Sequence, residues 1–311
     1  ADPPFHDRTR QLMNRIVSLK SLKAVRPEWQ RTAETLVRDC VARKRFDAVT
    51  DLAEVLPMEV FPDLIGVMRE GREQLLLYAA ATFNASGPRN AIFEESSHQA
   101  RHAISWVANA CKRENLDTGG WGMAVYEAAD RGECTQAEAE RLVRSFLSAG
   151  VDTTINGIGN MILAFATFPE QWAKLRSNPV LLKRAFEETL RWDSAVQSYF
   201  RTTMRDIDIS GVTIPRDSKV MLFIGAANRD PRRWGDDGHL FHIDRATSGH
   251  VGFGYGIHQC LGQMVARMEA EIVLAALVSQ IAEIKLAGEP RRRLNNALHA
   301  IASVPVEIEV D

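Results

Sequence analysis

The sequence is poor in cysteine and has no excess of basic residues. Its four cysteines, Cys40, Cys111, Cys134 and Cys260, are far apart and form no C-x-x-C pair, which argues against a disulfide framework. The formal net charge of −2 argues against general nucleic-acid binding, because no basic excess is available to neutralise phosphates. No uncharged apolar run is long enough for a membrane helix, and no internal repeat is present. These absences predict a reduced, cytoplasmic protein that binds neither membrane nor nucleic acid.

The chain contains enough apolar residues to build a large core. Of its 311 residues, 45% are hydrophobic, and the spacing over residues 21–105 is mostly helical. Thr135 and Glu138 form a capping box, and the helix that they begin is predicted to run without a break to Phe168, where Pro169 ends it. Later the period changes to two, which predicts short strands at 203–209, 212–214 and 220–224 and a terminal hairpin at 304–310.

One loop contains a cysteine in a setting that favours metal binding. The run Phe253–Gly262 reads F-G-Y-G-I-H-Q-C-L-G, and the apolar helix predicted from Leu261 begins directly after Cys260. Free N–H groups and the dipole at a helix start favour a thiolate over a thiol, and the glycines allow a bulky group to approach the backbone. Such a thiolate is a soft axial ligand for haem iron. The alternative is a small core cysteine beside a glycine turn.

The middle of the long predicted helix carries small and polar residues on one face. Ser145, Ser148, Ala149, Asp152 and Thr153 follow helical spacing. Since the flanking helix is apolar, this stripe is predicted to line a cavity. The alternative is a polar seam against a neighbouring helix.

These patterns together resemble the cytochromes P450. The run F-G-x-G-x-H-x-C-x-G resembles their haem-binding loop, residues 149–154 (A-G-V-D-T-T) resemble their oxygen-binding segment, and Glu188 and Arg191 resemble their buried E-x-x-R pair, with Arg245 as its third member. The resemblance runs from the segment Asp-Pro-Pro-x-His-x-x-x-Arg at the start to the end of the chain. It implies one domain, residues 1–311, that is mainly α with small β-sheets in the P450 fold.

The resemblance implies haem b (heme b, iron protoporphyrin IX) as the cofactor and Cys260 as its metal ligand. It assigns Asp152 and Thr153 to proton delivery, since a carboxylate and a hydroxyl near water relay protons to bound dioxygen, whereas Thr154 is expected to bond back to its own helix. Contacts to the haem and its propionates are implied for His6, Arg10, Arg201, His250, Phe253, Gly254, His258 and Gly262. The H-x-C spacing of the loop also occurs in zinc sites, but no second ligand pair is visible.

The implied reaction inserts one oxygen atom of O2 into a small organic substrate, with two electrons from an iron–sulfur ferredoxin and its NAD(P)H reductase. Arg232, Arg233 and Arg267 either border the surface where an acidic electron donor docks or form a solvated rim. Within the family, the chain looks most like bacterial enzymes that demethylate or hydroxylate para-substituted benzoates. Pocket positions of those enzymes match Phe83, Ser86, Ser145, Ser148, Ala149, Val196 and Tyr199. Ser86 replaces an aromatic residue there, and Tyr199 brings a hydroxyl where phenylalanine is usual.

The family normally has a further N-terminal portion that this sequence does not contain, so the resemblance implies an N-terminally incomplete P450. Two other classes are therefore left open. One is a non-catalytic fragment that does not retain haem, and the other is a haem-thiolate sensor or electron carrier. The pair Asp152 and Thr153 favours the oxygenase over the sensor, which has no need of proton delivery.

Overall fold

The computed structural model describes residues 2–310 and is mainly helical with four small antiparallel sheets. The helices are α1 (Phe5–Ile16), α2 (Leu19–Arg43), α3 (Val55–Ile65), α4 (Gln74–Ala85), α5 (Ala91–Gln99), α6 (Arg101–Ala110), α7 (Trp121–Asp130), α8 (Gln136–Gly150), α9 (Asp152–Thr167), α10 (Pro169–Ser177), α11 (Leu182–Trp192), α12 (Ile224–Ala227), α13 (Pro231–Trp234) and α14 (Gln263–Gln280). The strands are β1 (Arg45–Asp47), β2 (Ser198–Thr202), β3 (Ile207–Ile209), β4 (Val212–Ile214), β5 (Lys219–Phe223), β6 (Glu283–Leu286), β7 (Arg291–Arg292), β8 (Ile301–Ser303) and β9 (Pro305–Glu309). Among the described helices, none has the length and apolar character to span a membrane.

Helix α9 lies at the centre of the core. Its buried residues lie on all sides of the helix and include Ile155, Ile158, Ile162 and Phe165, as expected for a helix enclosed by neighbours. It packs against α8, α10, α11, α14 and β6. The cysteine loop leads into α14, which is one of these neighbours.

The predicted long helix is two helices. The capping box of Thr135 and Glu138 begins α8 as expected, but α8 ends at Gly150 and α9 begins at Asp152. Val151 lies between them with φ −93° and ψ −71°. The hydroxyls of Thr153 and Thr154 donate to the carbonyls of Ala149 and Gly150 at 2.7 and 3.0 Å. These side chains compete with the backbone for helical carbonyls, which explains the break.

The strand pairing differs from the prediction at the C-terminus. The predicted terminal hairpin is wrong, because β9 is the central strand of a three-stranded sheet between β1 and β6. Its alternating pattern buries Val306 and Ile308, and alternation does not identify a distant partner strand. The predicted strands 212–214 and 220–224 correspond to β4 and β5, and of the predicted 203–209 only Ile207–Ile209 is a strand.

Candidate active site

The loop before α14 presents Cys260 on a tightly folded backbone. Gly254 and Gly256 have φ of +74° and +75°, a region that residues with a side chain rarely adopt. The Cys260 amide donates to the Phe253 carbonyl at 2.8 Å, which closes the loop. Phe253 is anchored in the core and lies beneath the Arg267 guanidinium, 4.6 Å from its ring centroid. The loop is therefore closed by the contact between Phe253 and Cys260, and its Phe253 end is packed against the core.

The sulfur of Cys260 lies just outside α14, whose cap is Gly262. The backbone amides of Gly262 and Gln263 act on it as donors and lower its pKa, as do the charges of Arg10 and Arg267, but burial outweighs them and the pKa is raised. The helix-start donors predicted from the sequence are therefore present. The expected preference for a thiolate is not met by the protein groups alone, because desolvation disfavours the anion.

Three of the predicted propionate contacts lie together beside the cysteine loop. Arg10 donates from Nη1 to the Gln259 carbonyl at 2.7 Å, and the rings of His6 and His258 meet edge to face at 4.6 Å between centroids. The His258 Nε2 atom lies 3.2 Å from a carboxylate oxygen of Asp2. Helix α1 thus brings His6 and Arg10 to the loop across more than 240 residues of sequence.

His250 makes contacts other than the predicted one. Its Nε2 atom lies 2.8 Å from the Glu187 carboxylate, and its Nδ1 atom accepts a hydrogen bond from the Gly252 amide. Both ring nitrogens therefore contact protein groups in this structure. Glu187 also receives the guanidinium of Arg267. The propionate contact of His250 stays a prediction, and the ring joins α11 to the start of the cysteine loop.

The Glu187 cluster predicts a pH-dependent stability. Burial acts to raise the pKa of Glu187, but the hydrogen bonds from His250 and Arg267 outweigh it and lower the pKa to about 2. Because the folded pKa is below the ordinary 4.5, the stabilisation is present above pH 4.5 and is lost as the pH falls towards 2. The Glu187→Gln variant is expected to lose up to about 3 kcal/mol of unfolding free energy at pH 7.

Urea unfolding of the wild type and of Glu187→Gln at pH 7 and at pH 3 measures this dependence. The difference between the two proteins should shrink at pH 3. Glu94→Gln, at an exposed position of α5, is the control and should show no such change. A difference that stays constant with pH would contradict the prediction.

Arg201 and Tyr199 lie on strand β2. The pKa of the Tyr199 hydroxyl is raised, mainly by burial and secondarily by the charge of Cys260, while Arg201 acts in the opposite sense. The Arg201 guanidinium lies 5.5 Å from the Tyr199 ring centroid. These interactions place both predicted residues within electrostatic range of one another and, for Tyr199, of the cysteine sulfur.

Glu188 and Arg191 form a fully buried ion pair. Both side chains have 0% exposure, and Arg191 donates from Nε and Nη2 to the two carboxylate oxygens at 2.7 and 2.8 Å. Arg245 approaches the same carboxylate at 3.4 Å, and the His242 amide donates to it at 2.9 Å. The predicted three-residue network is therefore present in the structure, with a backbone amide as a fourth contact.

Arg191 connects this pair to the segment that precedes the cysteine loop. Its guanidinium donates to the carbonyls of Asn228, Gly238 and Leu240. The Asn228 side chain in turn accepts a hydrogen bond from the Val251 amide at 2.8 Å. Since Val251 is two residues before Phe253, these contacts fix the entry to the loop.

The predicted polar face of α8 lies at the surface of the described chain. Ser145 and Ala149 are exposed and Ser148 is half-buried. Each serine hydroxyl donates to a carbonyl of its own helix, Ser145 to Leu142 at 2.6 Å and Ser148 to Ser145 at 3.1 Å. The face is therefore open, and its hydroxyls have turned to the helix rather than outwards.

Asp152 is 1% exposed and is held by two partners that the sequence did not indicate. Arg293 donates from Nη2 to both carboxylate oxygens at 2.9 and 3.1 Å, and the Asn156 side chain donates to one of them at 3.0 Å. Burial raises the pKa of Asp152, while Arg293 and Asn156 act to lower it. The charge of Arg293 also acts to lower the pKa of Glu54, but burial outweighs it and the Glu54 pKa is raised.

The predicted pocket residues are only partly brought together. Phe83 packs with Val196 in a small apolar cluster that also contains Ala297, Leu298 and Ala300. Ser86 lies at the exposed C-terminal end of α4, where its hydroxyl donates to the Thr82 carbonyl at 3.3 Å. Ser86 is thus placed at an edge, whereas Phe83 and Val196 form an apolar wall.

The residues around Cys260 fit a haem group. A Cβ atom added at Gly256 or Gly262 would meet no atom within 4 Å, so the loop offers an open backbone surface to a flat ligand. The sulfur has two amide donors that support a thiolate. Arg10, His6 and His258 lie together at one edge of the loop, and their N–H groups suit the propionate carboxylates of a haem. A cysteine thiolate with these neighbours is a donor that suits haem iron.

The known proteins to which this chain is similar are cytochromes P450. A family model described as Cytochrome P450 matches residues 93–282. Cytochrome P450 CYP199A2 of Rhodopseudomonas palustris is 47% identical over 309 residues, which are 99% of this chain and 75% of that protein. A crystal structure of P450BioI in complex with an acyl carrier protein ligated to hexadec-9Z-enoic acid matches with a TM-score of 0.89 and 32% identity, covering 99% of this chain and 81% of that one. The chain belongs to the cytochrome P450 family.

A further solved relative has a para-substituted aromatic ligand. The structure of cytochrome P450 CREJ in complex with (4-ethylphenyl) dihydrogen phosphate matches with a TM-score of 0.85 and 26% identity, and covers 99% of this chain and 79% of that one. Membership of the family makes this protein a haem-thiolate monooxygenase, an oxidoreductase that uses O2, electrons from a redox partner and haem as cofactor.

Sequence reasoning missed the partners that hold the predicted residues in place. Arg293 lies 141 positions from Asp152 and Asn228 lies 37 positions from Arg191, and no local spacing indicates such pairs. Glu187 is different, because it directly precedes Glu188 in the E-E-x-x-R run. Its position directly beside the Glu188–Arg191 pair is a sequence signal that could have identified it as part of the site.

Proposed function

We propose that this monooxygenase oxidises a small para-substituted aromatic carboxylic acid, by O-demethylation or hydroxylation. The observation that carries the proposal is the open polar face of α8, where Ser145 lies one helical turn before Ala149 and Ser148 directly precedes it. A solved relative that binds a para-substituted aryl phosphate supports an aromatic ligand with an anionic group at one end. Phe83 and Val196 supply the apolar wall that an aromatic ring requires.

In this proposal each group of the chain has a separate task. Haem, held through Cys260, supplies the oxygen activation. His6, Arg10, His258 and Arg201 neutralise its carboxylates, and Asp152 with Thr153 moves protons towards the oxygen substrate. The hydroxyls of Ser145 and Ser148 leave the helix carbonyls and donate to the substrate carboxylate. Those carbonyls still accept hydrogen bonds from backbone amides of the helix. Tyr199, on β2, adds its hydroxyl to the polar groups of the substrate pocket.

The proposal includes an acidic iron–sulfur ferredoxin, served by an NAD(P)H reductase, as the electron donor. Exposed Arg233 donates to the Ser248 carbonyl at 2.6 Å, five residues before Phe253, and so presents positive charge near the start of the cysteine loop. Arg232 is 88% exposed at its side chain, and its guanidinium pairs with Asp230 at 2.6 Å. Arg267 is less available, because its guanidinium is engaged by Glu187. We place the protein in the cytoplasm, where its unpaired cysteines stay reduced.

Titration of the haem-loaded enzyme with 4-methoxybenzoate tests the substrate class. The acid is expected to shift the ferric spin state, and Ser148→Ala is expected to weaken its binding by about tenfold, the value of one hydrogen bond to a charged group. 4-Methylanisole, which has the same ring and methoxy group but no carboxylate, is the matched ligand control. Its affinity should not change with Ser148→Ala. An acid that binds equally well to both proteins would contradict the role of the α8 hydroxyls, and no shift in either would contradict the aromatic-acid class.

A further inference from the structure

Three asparagine side chains, Asn84, Asn90 and Asn296, join the turn between α4 and α5 to the segment before β8. The Asn296 Nδ2 atom donates to the carbonyls of Asn84 and Pro88 at 3.0 and 3.2 Å, and the Asn296 backbone amide donates to the Asn84 Oδ1 atom at 2.9 Å. Asn296 and Asn90 also bond through their side chains in both directions, at 2.9 and 3.1 Å. This asparagine cluster therefore ties the end of α4, the turn and the start of α5 to one residue.

The turn depends on Asn296 for its connection to the rest of the molecule. Within residues 2–310, every hydrogen bond from residues 84–90 to a position more than ten residues away ends on Asn296. The turn also fits closely around this side chain, because a Cβ atom added at Gly87 would lie 2.5 Å from the Asn296 Cβ atom. Asn84 is 3% exposed, so loss of its partner leaves buried polar atoms unpaired, which is costly.

The residues next to the asparagine cluster form the apolar wall of the predicted pocket. Phe83 directly precedes Asn84, and Leu298 lies two positions after Asn296. Both apolar side chains are buried, and they pack in one cluster. The bonds between Asn84 and Asn296 therefore fix the backbone beside Phe83 relative to the backbone beside Leu298.

Leu298 has a second support that does not involve α4. It forms an antiparallel bridge with Val196, and the Gln197 amide donates to the Ala297 carbonyl at 3.0 Å. The segment around Leu298 is thus attached to the chain before β2 by its backbone. Phe83 has no such backbone pairing, so its place in the wall depends on the asparagine cluster.

We infer that Asn296 is a positioning residue of the substrate pocket, which holds Phe83 against Leu298 and so keeps the wall in the shape that receives an aromatic ring. This role rests on the proposed function, since it requires an aromatic ring to lie against that wall. The amide group of Asn296 suits the task, because it donates to carbonyls on one side and accepts from Asn90 on the other. A carboxylate of the same shape has no hydrogen to donate and would face the Asn84 and Pro88 carbonyls with like charge.

Binding of two azoles to the ferric haem-loaded protein tests this role. Imidazole and 4-phenylimidazole both bind iron through a ring nitrogen, but only the second has an aryl ring to place against the wall. Asn296→Asp and Asn296→Ala are expected to weaken 4-phenylimidazole binding by about tenfold, the net value of one or two lost hydrogen bonds, and to leave imidazole binding unchanged. Asn109→Asp makes the same chemical change at an exposed position of α6 and should alter neither affinity.

The ratio of the two azole affinities separates positioning of the wall from damage to the haem site. An equal loss for both azoles, or no loss for either, would overturn the inference. Neither azole has a carboxylate, so this ratio can be measured whether or not 4-methoxybenzoate binds. Failure of the aromatic-acid class and failure of the Asn296 role are therefore distinguishable.

A second variant removes the contact from the other partner. Asn90 is also the N-cap of α5, where its side chain accepts a hydrogen bond from the Phe93 amide at 3.1 Å. Asn90→Ser keeps a capping oxygen but is too short to reach Asn296. It should lower the affinity for 4-phenylimidazole in the same direction as Asn296→Ala. An affinity ratio equal to that of the wild type would overturn the inference.

Hydrogen–deuterium exchange of residues 83–93 in the haem-loaded protein measures the turn directly. The amides of Ser86 and Gly87 are bonded within the turn and exchange only when it opens locally. Their exchange is expected to be about tenfold faster in Asn296→Ala, with exchange in α8 unchanged. Exchange equal to that of the wild type would show that Asn296 does not hold the turn and would overturn the inference.

Discussion

Replacing Glu188 by glutamine is expected to lower the melting temperature by about 5 °C or more, and to reduce the haem content of the purified protein. The variant keeps the shape of the side chain but leaves the guanidinium of Arg191, which is 0% exposed, without a counter-charge. Removing one partner of a buried ion pair typically costs about 3–5 kcal/mol, because the other charge stays desolvated. Arg191 also fixes the entry to the cysteine loop through Asn228. The loop should therefore lose its position together with the stability.

Differential scanning calorimetry and the ratio of haem to protein measure the two effects of Glu188→Gln. Glu94→Gln is the matched control, because it makes the same chemical change at an exposed position, where surface substitutions usually alter stability by less than about 0.5 kcal/mol. A Glu188 variant that matches this control in both measurements would show that the pair does not support the loop. Retained haem with a lowered melting temperature would limit its role to overall stability.

The parts of the site that the sequence predicted are those with short, local spacing. Glu188 and Arg191 are three positions apart on one helix, and their side chains form a buried ion pair. The loop from Phe253 to Gly262 forms because its glycines adopt positive φ and because its two ends are close in sequence. Such features depend on a few neighbouring residues, which a motif contains in full.

The features that the sequence did not predict depend on competition between groups or on distant partners. The break at Val151 arises because the Thr153 and Thr154 hydroxyls take carbonyls that a continuous helix would use, and apolar periodicity is the same on both sides of it. β9 has the alternation of a hairpin strand, but its partners β1 and β6 come from opposite ends of the chain. His250 lies at a motif position, and its contacts were decided by Glu187 on another helix.

Substitution of Asp152, which pairs with Arg293, by asparagine is expected to lower product formation by about 10²-fold or more. Asparagine keeps the size of the side chain but cannot exchange a proton. The carboxyl group is suited to the task, because burial raises its pKa towards the working pH while Arg293 keeps an ionised form accessible. Arg293 itself is 42% exposed, so water reaches its outer side. Water beside the guanidinium can thus bring protons towards Asp152, while Arg293 itself stays charged.

Stopped-flow turnover with O2 and a reduced ferredoxin, together with the solvent deuterium isotope effect, measures this step. Asp152→Asn should show slow product formation with unchanged affinity for 4-methoxybenzoate, since the carboxyl group is buried away from the α8 hydroxyls. Arg293→Gln retains the acid and should lose less activity. Asp193→Asn is the matched control, because Asp193 is a buried aspartate that pairs with the adjacent Arg292 and with His299 but lies outside the helix break. Its turnover per bound haem should be that of the wild type. If Asp152→Asn equals this control, the proton reaches the oxygen substrate without Asp152, and Thr153 is the remaining predicted route.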